Sequence, residues 1–374
     1  MKKKSHIKEH FLSTLLFLGI FLFASCSSNE PVDVISNETV GFSITQSEDW
    51  GNGSSSRATV IDLKSLYTQG FGVFAYYTQN TPWGIYQQGS APNFMNNIKV
   101  YSTDNGVNWT YSPLKYWLGY PGEYTSFFAY APYNANTTIN GSEINFTVNE
   151  TVKNQVDLMW SNTETTDLTR RDEAIGIKFL HALAKIGFTA QANIEGTTTT
   201  AKVYIRIQKL VLTSPTDNNG TASTGPFYTE GTLDLKNTTN VASWEATNTG
   251  RKFNLDYSNF VGAQSTGFLL TKEDNESAKP LNADDSYVMI IPQNLSETCF
   301  NVYVEYEVRL EGADPNVYES YTNKRAGTLK LNFEAGKAYT LNLIFGLDEF
   351  TIDENITVTS WTPVTEVEID DMVP

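Results

Sequence analysis

The sequence predicts an all-β protein built of β-sandwiches, and three observations point there. Apolar residues recur at alternate positions in many short runs, with no sustained helical period. Aromatic residues make up 13% of the 374 residues, and Thr, Asn, Ser, Val and Ile are prominent beside them. That mix favours strands and turns. Charged residues are only 18% and apolar residues 40%, enough for a sizeable core without disulfide or metal support. The length suits two domains.

Residues 1–25 read as a secretory signal. Lys2, Lys3, Lys4 and Lys8 precede a mostly apolar run over 11–24, which is too short to span a bilayer. Ala24 and Ser25 stand directly before Cys26, an arrangement resembling a bacterial lipobox, although Phe23 replaces the usual aliphatic residue. Cys26 is therefore the expected lipid-attachment site, since several acyl chains anchor stably where one does not. Removing residues 1–25 takes away four lysines and one glutamate and moves the net charge from −16 to −19. Cys299 is then alone, so no intrachain disulfide is expected.

Residues 26–57 are expected to form a lipidated leader with a first strand and a protease-sensitive loop. Val40, Phe42 and Ile44 alternate with Gly41, Ser43 and Thr45, the pattern of a short half-buried strand. A Gly/Ser-rich stretch at 48–57 follows and reads as an exposed loop ending at Arg57. Residues 58–170 are assigned to an N-terminal sandwich. In it, 71–77 is apolar on both parities and so central to a sheet. Residues 98–101 and 109–111 flank a turn at Asp104, Asn105 and Gly106, a strong hairpin signal. The polar stretch 161–167 marks the domain boundary.

Residues 171–374 are assigned to a C-terminal sandwich with a short acidic tail. Leu180, Ala182, Ala184, Ile186, Phe188 and Ala190 predict one long strand. Residues 202–212 predict a second, with a phase slip near Lys209 that suggests a bulge. The polar run 195–200 predicts that these two form a hairpin. Further alternation appears at 300–310, 329–333, 339–345 and 352–358.

Chemistry is sparse. Of three histidines, His6 and His10 lie in the leader, which leaves His181 facing away from Ala182 and Ala184. A satisfied or solvent-edge histidine is expected there. One His and two Cys cannot build a Cys/His zinc site, so no metal and no cofactor are expected. No hydrolase elbow, zincin, phosphate-loop or dinucleotide motif is present. Asp348, Glu349, Asp353 and Glu354 lack the spacing of a calcium loop and read as a solvated turn. No pair of carboxylates stands out as a catalytic couple, so no catalytic residue is assigned and the chain reads as a non-enzyme. The negative charge excludes nucleic acid as a partner.

Several segments together carry a family resemblance. They are Phe94-Met95-Asn96-Asn97, the run from Trp109 to Trp117 (WTYSPLKYW), the run from Ser126 to Tyr133 (SFFAYAPY), Asp157-Leu158-Met159-Trp160, the run from Phe179 to Ile186 (FLHALAKI), Met289-Ile290-Ile291-Pro292-Gln293 and Gly336-Lys337-Ala338-Tyr339. In their order and spacing the chain resembles the fimbrillin-like lipoproteins of Bacteroidetes, the subunits of type V pili. The resemblance implies two tandem transthyretin-like Greek-key β-sandwich domains behind a lipoprotein signal peptide. It also implies an outer-membrane lipoprotein that ends in a surface fimbrium. A trypsin-like protease would cut between Arg57 and Ala58, displace the first strand at Val40, Phe42 and Ile44, and open a groove for a donor strand from another subunit.

Partners implied are other fimbrial subunits, the outer membrane through the anchor before processing, and a ligand on a host or bacterial surface. Thr365, Val367 and Ile369 alternate in the acidic tail, so a short donor strand there and a tip role are both open. The alternative is a surface glycan-binding lipoprotein, suggested by Trp83, Tyr86, Trp109, Tyr111, Tyr116, Trp117 and Tyr120, although most of these rings are expected in the core.

Overall fold

The alternating Val40, Phe42 and Ile44 produce a strand, as their β-branched and aromatic side chains favour. The computed structural model describes residues 38–44, 61, 63–86, 91–161, 166–169, 172–194, 202–236, 241–248, 250–256, 268–275, 277–282, 287–312, 314 and 318–361. Within them, β1 (Phe42–Ile44) precedes a short helix, α1 (Leu63–Gln69), and β2 (Phe71–Gln79). Antiparallel neighbours β3 (Met95–Val100) and β4 (Tyr124–Ala131) flank β2. A small hairpin, β5 (Ile139–Asn140) and β6 (Glu143–Thr147), comes next, then β7 (Met159–Ser161), β8 (Ile175–Ile177) and β9 (Phe179–His181). The resulting sheet runs β3-β2-β4-β7-β9, and β1 pairs in parallel with β8.

The two apolar parities of β2 have separate destinations. Phe71, Val73 and Ala75 join Phe127, Ala129 and Ala131 of β4 in a cluster that also holds Val40 and Phe42. Phe74 and Tyr76 join Phe128 and Tyr130 in a second cluster shared with the later strands. A strand with a core on each side has no solvent face, so both parities must be apolar. The expected turn after β3 is present: Asn105 and Gly106 both have positive φ, 57° and 83°, and Tyr101 bridges Thr110 across it. A Cβ at Gly106 would also come within 2.6 Å of the Tyr67 ring.

The long strand expected at 180–190 is two strands. Leu180 belongs to β9, whereas β10 (Ala184–Asn193) starts a different sheet. Nor do β10 and β11 (Lys202–Thr213) form a hairpin, for they lie in separate sheets. Polar residues between two strands report a reversal, not which sheet the second strand enters. β12 (Glu230–Asp234) and β13 (Ser243–Asn248) pair with each other, and β12 also pairs with β6. β8 and β9, beyond the expected boundary at residue 170, likewise pair with β1 and β7.

Around β11 gather β14 (Phe253–Asp256) and β15 (Phe268–Thr271) on one edge. β16 (Lys279–Pro280) and β17 (Val288–Ile290) pair with β10, followed by the two-residue β18 (Gln293–Asn294). β19 (Phe300–Glu311) fills the other side of β11, and the register shifts between Ile207 and Lys209, the bulge that the phase slip predicts. β20 (Tyr318–Leu329) closes that sheet as an exposed polar edge, Lys324 and Arg325 included, which suits an edge exposed to water. After β21 (Asn332–Phe333), β22 (Lys337–Gly346) runs parallel to β10, and β23 (Phe350–Ile352) and β24 (Thr357–Ser360) pair with β22. Ile186 and Phe188 of β10 share one buried cluster with Ile205 of β11, Val304 of β19 and Leu343 of β22, as the facing sheets of a sandwich do.

Candidate functional site: the seat of the first strand

β1 occupies a slot that the rest of the N-terminal region lines. On one edge its register is Phe42 to Ile175, Ser43 to Gly176 and Ile44 to Ile177, and Ile175 N–H donates to the Gly41 carbonyl at 2.8 Å. On the other edge lies the strap at residues 115–117. There Val40 N–H donates to the Lys115 carbonyl at 2.8 Å, Trp117 N–H donates to the Glu38 carbonyl at 3.2 Å, and Thr39 bridges Tyr116 antiparallel. β8 thus pairs with β1, and the strap with residues 38–40 just before it.

Its side chains fill the slot. Val40 and Phe42 are buried and Ile44 is half-buried. The Phe42 ring meets Tyr111 at 5.6 Å, Phe127 at 5.9 Å and Phe71 at 6.2 Å, all edge to face. Such pairs contribute about 0.5–1.5 kcal/mol beyond area burial. Tyr111 also donates its hydroxyl to the Val40 carbonyl at 2.6 Å. Burial pushes the Tyr111 hydroxyl above the usual tyrosine range, against the opposing pull of the Lys115 backbone, so the group stays a donor.

The strap itself is tied down. Trp117 packs on Phe127 at 5.8 Å, and Glu123 accepts hydrogen bonds from the Tyr120 N–H, at 2.7 Å, and from the Tyr77 hydroxyl. Those two bonds hold the Glu123 carboxyl below its ordinary range, the Tyr77 bond most strongly. Desolvation, reinforced by Glu123, pushes Tyr77 up to about 12. The strap, β8 and the β2–β4 floor together line the slot that β1 fills.

The other sequence-derived residues are distributed as follows. Cys26, Arg57 and Ala58 lie outside the described residues. Trp83, Tyr111 and Trp117 are buried, Tyr86 and Trp109 are half-buried, and of these seven rings only Tyr116 and Tyr120 are exposed. Most of the aromatic set is therefore core. Cys299 is half-buried at the foot of β19 with φ of 59°. Asp353 accepts bonds from the backbone and side chain of Asn355, a closed turn whose backbone bond does most to lower its carboxyl. Among the described residues no group of three or more His, Cys, Asp or Glu side chains is placed to hold a metal.

His181 departs from its expected parity. It is buried with Phe179 on the inward side of β9, because the alternation breaks between β9 and β10. Its Nδ1 lies 2.9 Å from Asp157 Oδ1, and its ring stacks on Trp361 at 4.0 Å and 9°. Asp157 is also buried, and its Oδ2 accepts the Ile61 N–H at 3.1 Å. A structural pin is the physical result. Asp157 stands in one of the segments that carry the resemblance, but one acidic residue in an apolar run does not announce its partner. The strap lies in the run from Trp109 to Trp117, but its pairing with residues 38–40 spans more than seventy positions and leaves no local pattern.

Comparison with known proteins agrees with this architecture. The fimbrillin-like family matches residues 57–361. The chain belongs to that family. Fimbrium subunit Fim1C of Phocaeicola vulgatus is 24% identical over 395 aligned positions, covering 96% of this chain and 98% of that protein. A crystal structure of a fimbrial protein from Bacteroides vulgatus superposes with a TM-score of 0.66 at 21% identity, covering 87% of this chain and all of the other. That likeness establishes the shared β-rich fold. In this fimbrillin-like chain the match begins at Arg57, so β1 lies upstream of the matched span.

Proposed function

We propose that this chain is a fimbrial subunit, exported as a lipoprotein through Cys26, cut between Arg57 and Ala58, and assembled by strand exchange into an adhesive surface fibre. One observation supports it above the others. The strand at Val40, Phe42 and Ile44 completes a buried cluster, yet it belongs to the chain only through the segment that carries Arg57. Cutting there makes β1 a separate piece held by non-covalent contacts alone. Losing it uncovers Phe71, Tyr111 and Phe127, together with unpaired edges on β8 and on the strap. Such edges are templates for an incoming strand, whose backbone supplies the hydrogen bonds and whose alternate side chains fill the pockets.

Assembly, not turnover, is the chemistry of this site. His181 and Asp157 are a buried pin, and the acidic turn at 353–355 satisfies itself. The decisive experiment is mass spectrometry of fibre-borne protein. An N-terminus at Ala58 is the expected result, and Arg57→Ala should leave the subunit lipid-anchored, full length and outside fibres. Fibres whose subunits retain residues 40–44 would refute the scheme.

A further inference from the structure

The hydrogen bonds described for the segment leading into β1 engage its backbone. The Val40 N–H and the carbonyls of Glu38, Val40 and Gly41 are the groups engaged by the strap, Tyr111 and β8. Any extended chain offers the same groups, so these bonds set direction and register without reading sequence. β1 runs parallel to β8, and the residue before Val40 bridges Tyr116 antiparallel.

Selection must come from the side-chain seats, and these differ. The Val40 seat is closed to solvent at 1% exposure, and the Ile44 seat is half open. The Phe42 seat between them is walled by three rings that meet its occupant at interplanar angles of 67°, 80° and 88°. Edge-to-face contacts on three sides suit an aromatic ring, and a smaller aliphatic group leaves a void there.

We propose that the groove vacated by β1 takes a donor strand from another subunit that presents a β-branched aliphatic, an aromatic and a second aliphatic residue at alternate positions, and that residues 362–374 of an identical copy are not that strand. The proposal rests on the strand-exchange reading and names the partner of that same groove.

Residues 362–374 read TPVTEVEIDDMVP and contain no Phe, Tyr or Trp. Trp361 just before them is already buried against His181. Three registers put apolar groups nearest the right seats, and each one fails. Thr365, Val367 and Ile369 place Val in the aromatic seat. Val367, Ile369 and Asp371 place Ile there and a carboxylate in the Ile44 seat. Met372 in the aromatic seat puts Asp370 into the closed Val40 seat, where a carboxylate has no water. Each register therefore leaves a void, a stranded charge or both.

The test uses the full chain cut at Arg57 by an arginine-specific protease. Release of the severed N-terminal fragment is followed as three synthetic peptides are titrated in. They are residues 38–46, the same peptide carrying Phe42→Val, and residues 362–374. The 38–46 peptide should displace the fragment. The Phe42→Val peptide should be roughly tenfold to a hundredfold weaker, the range that lost methylenes and a residual void imply. The 362–374 peptide should be at least as weak as that. Displacement by the 362–374 peptide within about threefold of the 38–46 peptide would overturn the proposal, taking threefold as well under the 1.4 kcal/mol of one decade. Failure of all three peptides, with the fragment retained, would instead refute strand exchange and this inference with it.

Discussion

Truncating Phe42 to Ala in the uncut protein tests the seat at its centre. The side chain is 4% exposed and meets three rings within 6.2 Å, so its loss removes most of what holds β1 laterally. Large-to-small changes of buried Phe cost about 3–5 kcal/mol. β1 contributes a three-residue ladder at the margin of the fold, so the penalty should fall on local opening of β1 before global unfolding. At about 1.4 kcal/mol per decade, even 3 kcal/mol multiplies the open population roughly a hundredfold. Amide hydrogen exchange provides the assay. Protection should fall at Val40 and Ile175, whose N–H groups close the two edges, and stay unchanged in β10 and β22. Unchanged exchange at Val40 and Ile175, or an equal loss across β10 and β22, would refute the idea that Phe42 fastens a separately displaceable strand.

Four smaller predictions follow from the same geometry. Tyr111→Phe removes the 2.6 Å bond to the Val40 carbonyl and should weaken β1 by about 1–3 kcal/mol, read as faster exchange at Val40 with β19 unaffected. Asp157→Ala leaves the Ile61 N–H and His181 without their acceptor in a buried site and should cost about 3–5 kcal/mol in urea unfolding, whereas a change under about 1 kcal/mol would mean the pin carries no weight. Burial alone would raise the Asp217 carboxyl, but bonds from the Thr213 hydroxyl and the N–H groups of Ala222, Asn219 and Thr221 bring it below its ordinary 3.8. Its contribution is therefore full above that value and lost as pH falls through the lower folded value, so Asp217→Asn should flatten the acid limb of a stability profile below about pH 4. Cys26→Ser should abolish acyl labelling and change partitioning with the membrane pool; undiminished labelling would exclude that attachment site.

What was legible in the sequence was what local pattern controls. β2 needed apolar residues on both parities because each face has its own cluster, and that requirement shows as a dense run. The bulge at Lys209 shows as a phase slip because one inserted residue shifts every later side chain to the other face. Partner choice was not legible. Leu180 and Ala184 share one parity in the sequence although β9 and β10 lie in different sheets and bury opposite parities, since period-2 alternation says that a strand is half-buried and nothing about its neighbour. β20 is not legible because an exposed edge strand with polar residues on both parities has no alternation to read. At the candidate site, Val40, Phe42 and Ile44 were evident, while β8 and the strap were not, for both are far away in the chain.

The hold on β1 is divided in a way that suits a replaceable strand. Its backbone bonds use groups that any extended strand offers, so they select poorly. Its side-chain hold is concentrated in Val40 and Phe42, each worth about 1.5–3 kcal/mol on burial as an upper estimate. While the segment through Arg57 is intact, β1 is tethered to its slot and an intermolecular strand must compete with a very high local concentration. After a cut that advantage disappears without any change in the contacts. The floor made by β2 and β4 would persist in the proposed scheme, because its opposite face is anchored in the larger cluster with Phe74, Tyr76, Phe128 and Tyr130. A slot that outlasts its first occupant is what strand exchange requires. The bifacial packing of β2 and β4, more than β1 itself, is therefore the feature on which the proposed exchange rests.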